Sequence, residues 1–231
     1  MIVFLASNMA LASTVLNPER TIVIDGPITG SIVAPVIKTM NKLASKDKDV
    51  PIDIVISSPG GSLVAGYLIV DRMEALRAEG VLFRCVVRSL AASMAFQMLL
   101  HCDERYATPH AFLLWHPVRV FFQGVLTADM AKVAGKQMAL SDKMIRDELY
   151  KALPVPKTVI DWHFTNETLH HATQLDKLAP GFFVEVTSKI GNAFLDEDVA
   201  LNTSKFGGFF LDQTDIQYIH EQFIKKVEVA K

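Results

Sequence analysis

A serine set among alanines, Ala91-Ala92-Ser93-Met94-Ala95, stands where an apolar strand pattern passes into an apolar helix pattern. Twenty-three positions later His116 ends another strand-like run in front of Pro117. A hydroxyl of ordinary pKa is a poor nucleophile at neutral pH. It needs an imidazole within hydrogen-bond reach to take its proton, and the imidazole needs a partner that fixes its tautomer. Taken singly, Ser93 reads equally as a helix N-cap, and a histidine before a proline reads as structural. Ser58-Pro59-Gly60-Gly61-Ser62 also lies where a strand hands over to a helix. Two glycines there allow a sharp turn whose amide N–H groups point into an open site and can hold an oxyanion; the same residues also suit a plain tight turn. The segment is neither a dinucleotide fingerprint nor a phosphate loop, because the required glycine spacing and the Gly-Lys-Ser/Thr ending are absent.

The elements that must position these residues alternate strand and helix from Thr21 onward. Thr21 to Asp25 is a β-branched run closed by Gly26-Pro27, and a helix follows that Ser31 can cap, with Pro35 in its first turn and Val33, Val36, Ile37, Met40 and Leu43 at helical spacing. Ile52 to Ile56 is the next strand and runs straight into the glycine turn; a helix begins after Ser62. Val81 to Val87 is the third strand and leads to Ser93 and an apolar helix, Phe96 to Leu100. Shorter strand patterns at Arg105 to Ala107 and Phe112 to Trp115 precede His116, and a long helix runs from Thr127 to about Leu153, stopped by Pro154 and Pro156. Such repeated βα units predict an α/β domain with its helices packed outside the sheet and function on the loops at strand ends.

The 231 residues carry a formal charge of −2, and half of them are hydrophobic, enough for a sizeable core. Lysines and arginines are interspersed with acids, which argues against a nucleic-acid partner. Cys85 and Cys102 lie in apolar segments and read as two buried thiols rather than a disulfide or metal pair, leaving the redox compartment open. His163, His170 and His171 read as solvated: His170 and His171 are adjacent and point to different sides, and no His-Glu-x-x-His spacing occurs. Neither metal nor cofactor is expected. The apolar segment Met1 to Leu16, with Ala10-Leu11-Ala12 before Ser13, looks like the core and cleavage site of an export signal but lacks a basic start, the first cation being Arg20. A native N-terminal strand or arm is the other reading, so cytoplasmic and exported locations both stay open. Asn8 and Ser13 interrupt the segment too early for a membrane span.

The order and spacing of these segments resemble the Clp protease proteolytic subunit family (ClpP) from about Thr21 to Leu178. Ile56-Ser57-Ser58-Pro59-Gly60-Gly61-Ser62, with Ala65-Gly66 and Ile69-Val70-Asp71-Arg72-Met73, looks like the family's glycine turn and following helix. Ala91-Ala92-Ser93-Met94 matches its nucleophile motif, and Arg105-Tyr106-Ala107-Thr108-Pro109 to Leu114-Trp115-His116-Pro117 matches the stretch ending in its catalytic histidine. The resemblance implies a ClpP/crotonase-like α/β fold of repeated ββα units with a long protruding helix. It also implies Ser93 as nucleophile, His116 as general base, and Gly61 and Met94 as oxyanion-hole amides, donors worth about 3 kcal/mol each in hydrolases. Ser89 and Ala95 replace family glycines, and the glutamine between His116 and Pro117 is missing. Counting back from Leu169 puts the family's third member at Glu167, with Asn166 and Asp161 as alternatives. Glutamate serves in this role in some hydrolases; the other reading of Glu167 is a solvated residue at a helix start, near the positive end of the dipole.

By this resemblance the chain is expected to be a serine endopeptidase acting on peptides or unfolded proteins. It is expected to assemble into homo-oligomeric stacked rings through the Thr127 to Leu153 helix and the preceding Val118 to Val125 segment, with an ATP-dependent unfoldase as a candidate partner. The alternatives are a non-catalytic assembly subunit, a crotonase-type hydratase or isomerase, and a signal-peptide-peptidase-like Ser-Lys enzyme. Three regions are expected: an N-terminal arm or signal-like segment over 1–20, a peptidase domain over 21–206, and a helical tail over 207–231. Gly207-Gly208 is the expected joint, and Asp215 to Val227 the tail helix.

Overall fold

Three parallel strands form the centre of the protein: β1 (Thr21–Asp25), β2 (Ile52–Ser58) and β3 (Phe83–Ala92). Their register aligns Val23 with Val55 and Val55 with Val86. The period-two alternation of side chains then divides the sheet's two faces. Ile22, Ile24, Ile52, Ile54, Ile56, Cys85 and Val87 enter the main core, whereas Val23, Val55 and Val86 join Leu16, Tyr106 and Ile190 in a small second cluster. The computed structural model describes residues 16–122, 124–190 and 201–202. The tail helix expected over Asp215 to Val227, the Gly207-Gly208 joint and nearly all of Met1 to Leu16 lie outside the described residues.

Helices α1 (Gly30–Lys46) and α2 (Leu63–Ala78) cover the main core. Ile32, Val36, Met40 and Leu43 face inward from α1, and Ile69, Val70, Met73 and Leu76 from α2. Pro35 is accommodated within the first two turns of α1, but the N-cap position is Thr29 rather than Ser31, whose hydroxyl instead lies 2.7 Å from that of Thr29. At the other end of α1, buried Arg20 donates to the carbonyls of Leu43, Asp47, Val50 and Pro51, at 2.6–3.1 Å, which fastens the helix end to the start of β1. Ser62 caps α2 by accepting from the Ala65 N–H at 3.2 Å.

On its far side β3 is shared by two short parallel strands in tandem. β4 (Glu104–Ala107) pairs with its first half and β5 (Phe112–Leu114) with its last three residues. Between β3 and β4 the chain forms α3 (Met94–Leu100), buried along its whole length. α4 (Ala128–Ala152) is 25 residues long, yet its buried residues are only Ile145 and Leu149, so its N-terminal turns project from the body. α5 (Lys157–Asn166), β6 (His170–His171) and α6 (Ala172–Leu178) follow, β6 running antiparallel to β5. β7 (Glu185–Val186) extends the sheet at β4, and β8 (Leu201–Asn202) at β1. No described helix is long and apolar enough to cross a membrane.

Two further expectations are corrected. Cys85 and Cys102 form a disulfide, their Cα atoms 5.9 Å apart, a separation that suits the bond. The apolar surroundings read in the sequence are real, since the two residues are 0% and 3% exposed; what the sequence lacked was the return of the chain through α3, which brings Cys102 back beside β3. His170 is buried rather than solvated, because β6 pairs with β5 and lays its ring on the Trp115 indole, centroids 4.9 Å apart. His163, whose ring meets that of His170 edge-on at 4.5 Å, is half-buried.

Candidate active site

Register alone brings the chemically capable residues together. β3 and β5 are parallel, with Ala92 opposite Leu114, so Ser93 lies one residue beyond that pair and His116 two residues beyond it, at the same end of adjacent strands. The Ser93 N–H donates to the Leu114 carbonyl at 2.8 Å and fixes this relation. On the other side of β3, Ser58 of β2 is opposite Ala91, which delivers the following glycine turn to the same edge.

Ser93 stands at the N-cap position of α3, but its hydroxyl makes no capping bond. Its backbone, at φ 55° and ψ −124°, is in a region that L-residues avoid and that costs on the order of 1–3 kcal/mol. A sharp strand-to-helix turn of this kind holds the side chain clear of both elements. The capping reading of Ser93 is thereby corrected: position agrees, and the hydroxyl is left for other work.

The glycine turn is in contact with the serine turn. A β-carbon on Gly60 would lie 2.5 Å from the Ala92 carbonyl oxygen, 2.7 Å from Ser93 Cβ and 2.8 Å from the Met94 nitrogen, so only glycine allows this approach. Buried Ser58 accepts the Gly60 N–H at 3.1 Å. Ile28 pairs with Gly61 as an isolated parallel bridge, in which Ile28 donates to the Gly60 carbonyl at 2.7 Å and accepts from the Ser62 N–H at 2.8 Å. That pattern turns the Gly61 N–H away from Ile28. Among the described residues neither the Gly61 nor the Met94 amide has a backbone acceptor outside regular secondary structure. α2 approaches from behind, where Gly66 leaves room for the Met94 side chain: a β-carbon there would lie 2.2 Å from Met94 Cγ.

His116 is half-buried, and its Nδ1 lies 2.6 Å from the Pro117 carbonyl oxygen. A carbonyl only accepts, so Nδ1 carries the proton and the neutral ring keeps its lone pair on Nε2. Burial pushes the His116 pKa below the ordinary histidine value; nearby Arg119 lowers it further, while the Pro117 bond and the charges of Glu167 and Asp142 act in the opposite direction. The ring is therefore neutral at pH 7 and holds a basic nitrogen. Its hydrogen bond is to the Pro117 carbonyl, not to Ser93 or to a carboxylate.

Glu167 lies near His116 but is engaged elsewhere, its carboxylate ion-paired with Arg119. It is the left-handed C-cap of α5, φ 48°, rather than a helix-start residue, because α5 ends at Asn166 and the chain must turn there into β6. Asn166 donates to the Trp162 carbonyl at 2.7 Å, and Asp161 binds Tyr150 Oη at 2.5 Å and Arg146. Both alternatives are thus committed to α5 and its contact with α4. Sequence reasoning missed Arg119 and Asp142. Asp142, from α4, accepts the Val118 N–H at 2.7 Å and ties the projecting helix to the segment that carries His116. A cation three residues beyond a suspected base was the available signal for Arg119. Among the described residues no group of three or more His, Cys, Asp or Glu side chains is placed to hold a metal ion.

Comparison with known proteins shows the family to which the sequence belongs. The chain is 28% identical over 148 residues to the ATP-dependent Clp protease proteolytic subunit 1 of Chlamydia pneumoniae, an alignment that covers 63% of this chain and 76% of that protein. It is also 28% identical to the subunit of the same name from Chlamydia caviae, over 62% of this chain and 74% of that one. The ATP-dependent Clp protease proteolytic subunit of Leuconostoc citreum is 28% identical as well, over 56% and 64% respectively. The sequence model of the Clp protease family matches residues 6–174, nearly three quarters of the chain and the whole stretch from the glycine turn through Glu167, so this protein belongs to the Clp protease family.

Proposed function

We propose that this chain is a ClpP-like serine endopeptidase in which Ser93 is the nucleophile and His116 the general base. The observation that supports the assignment is the β3–β5 register, which brings the strained, uncapped Ser93 and His116, whose Nδ1 bonds the Pro117 carbonyl and leaves Nε2 unprotonated, to the same end of adjacent strands. In the acylation step Ser93 Oγ attacks the peptide carbonyl carbon as its proton passes to Nε2. The oxyanion is held by the Gly61 and Met94 amides, and collapse of the tetrahedral adduct breaks the C–N bond while the imidazolium returns the proton to the leaving amine. Water then repeats the sequence on the acyl-enzyme. Glu167 is assigned as the acid that supports the imidazolium once Arg119 releases it.

The relatives are named as subunits of an ATP-dependent protease, and a similar assembly suits this chain. Phe121, Val125, Leu140 and Val133 are 90%, 88%, 70% and 55% exposed along the projecting α4 and the segment before it. Apolar area of that extent on one projection suits contact with further copies of the chain, as in stacked rings. Substrates restricted to peptides or unfolded chains, fed by an ATP-driven unfoldase, complete the proposal.

The test is a fluorophosphonate probe together with peptide hydrolysis. The probe labels Ser93, and Ser93→Ala abolishes both labelling and turnover. One observation favours a second reading, a subunit that assembles without cleaving: the Arg119–Glu167 pair occupies the acid. Equal hydrolysis rates for wild type and Ser93→Ala would establish that reading and end the first.

A further inference from the structure

The Cys85–Cys102 disulfide encloses the nucleophile turn. Cys85 lies in β3 eight residues before Ser93, and Cys102 follows α3 nine residues after it, so the closed loop contains Ser93, the Met94 amide and the whole of α3. Hydrogen bonds close the same loop just outside the sulfurs: the Asp103 N–H donates to the Phe83 carbonyl at 2.9 Å, and the Phe83 N–H donates to Asp103 Oδ2 at 2.8 Å. Loss of the covalent link therefore does not unravel the sheet. Its effect falls inside the loop. Two reduced sulfurs cannot remain at bonding distance, and at 0% and 3% exposure they have no solvent to move into, so they must push β3 and the end of α3 apart. Ser93 holds a backbone conformation that persists only while its surroundings over-determine it. A shift of α3 against β3 acts directly on that residue.

The geometry points to a redox-dependent clamp: the disulfide form holds the Ser93–Met94 turn in its competent shape, and reduction by a dithiol releases it. The exchange balances as two thiol–disulfide steps. A reductant thiolate attacks one protein sulfur and expels the other as a thiolate; the reductant's second thiol then displaces the first protein sulfur. The protein gains two electrons and two protons, and the dithiol leaves as its cyclic disulfide. Because both sulfurs are buried, reduction requires transient opening of the loop and proceeds slowly in the native protein. The chain would accordingly work in a disulfide-permissive setting.

The clamp's effect on hydrolysis rests on the peptidase reading, so its test has readouts that do not. Alkylation of the denatured, unreduced protein with iodoacetamide, read by mass spectrometry, should find neither cysteine modified; two alkylated thiols would overturn the proposal. The full chain is then compared before and after complete reduction with dithiothreitol. The expected result is amide exchange over residues 90–97 faster by about ten-fold, a fall of about 5 °C in Tm and several-fold slower peptide hydrolysis, all reversed on reoxidation. Unchanged exchange and Tm after verified reduction would overturn the clamp. The double variant Cys85→Ala/Cys102→Ala should no longer respond to reductant; should it fail to fold, the wild-type comparison still decides. A protein inactive on peptides in both redox states would defeat the peptidase reading, while exchange and melting would still judge the clamp.

Discussion

Arg119 and Glu167 form an ion pair that joins the segment just after His116 to the end of α5. The pair bears on the proposed base in two ways. It occupies the carboxylate proposed to support an imidazolium, and it sets a cation near a ring whose pKa burial has already lowered. Arg119→Gln removes one cause of that lowering, so the His116 pKa moves up toward its ordinary value. The proposed mechanism needs the neutral ring, hence the acid limb of the kcat/KM profile shifts to higher pH. A profile that does not move would separate Arg119 from the site.

Glu167→Gln should have a modest effect. The Pro117 carbonyl already holds the Nδ1 proton, so the base keeps its correct tautomer without the carboxylate. Where an acid alone fixes the tautomer, its amide costs about 10⁴ in kcat; here the expected loss is about ten-fold. A loss near 10⁴, measured with a fluorogenic peptide, would transfer the tautomer-fixing role to Glu167.

Gly60 and Gly66 should fail in different ways when replaced by alanine. At Gly60 the added carbon meets backbone atoms and a positive φ of 92°, neither of which can yield, so Gly60→Ala removes activity and destabilises by about 2–4 kcal/mol. At Gly66 it meets the flexible Met94 side chain, which can move, so Gly66→Ala costs about 1–3 kcal/mol, and Met94→Ala in the same chain recovers part of that loss. Urea unfolding of the three variants checks the order. Equal costs at the two glycines would contradict it.

Stability should fall in acid through His170. Burial first, and the neighbouring His163 second, pull its pKa down to about 4, against an ordinary value of 6.5. The unfolded chain therefore binds a proton more readily than the folded one. The contribution, on the order of 3 kcal/mol, is complete above about pH 6.5 and is lost as pH falls toward 4. His170→Phe keeps an aromatic ring on Trp115 and removes the titration. Its Tm should change less between pH 7 and pH 4.5 than that of wild type, and parallel slopes would count against the assignment.

Charge on the projecting helix should oppose assembly. Val133→Asp lies in the shallow groove lined by Phe122, Met130, Val133 and Ala134, far along α4 from the buried Ile145 and Leu149. The substitution should shift the protein to smaller species in sedimentation velocity while leaving the far-UV circular dichroism unchanged. An unaltered sedimentation profile would place the contact elsewhere.

Much of the architecture was legible because it depends on local patterns. β1 begins and ends where the β-branched run does, and α4 covers the residues between the Thr127 cap and Pro154. The glycine turn and the serine turn were recognisable by residue type, since few residues tolerate those backbones. The strands' partners were less so: β3 proved to be ten residues long and to serve two short strands in turn, a division that depends on contacts between distant segments.

By itself the sequence determined which residues to propose for chemistry, Ser93, His116 and the Gly61 and Met94 amides, because nucleophilicity, basicity and turn formation are properties of residue types and their immediate neighbours. Only the tertiary structure decided their partners. Pro117 rather than Glu167 bonds to Nδ1, Arg119 holds Glu167, Cys85 is joined to Cys102, and His170 is under Trp115 rather than in water. Each of these is a contest between acceptors, cations or surfaces that are remote in the chain, and distance in space, which sequence spacing does not encode, settles which one wins.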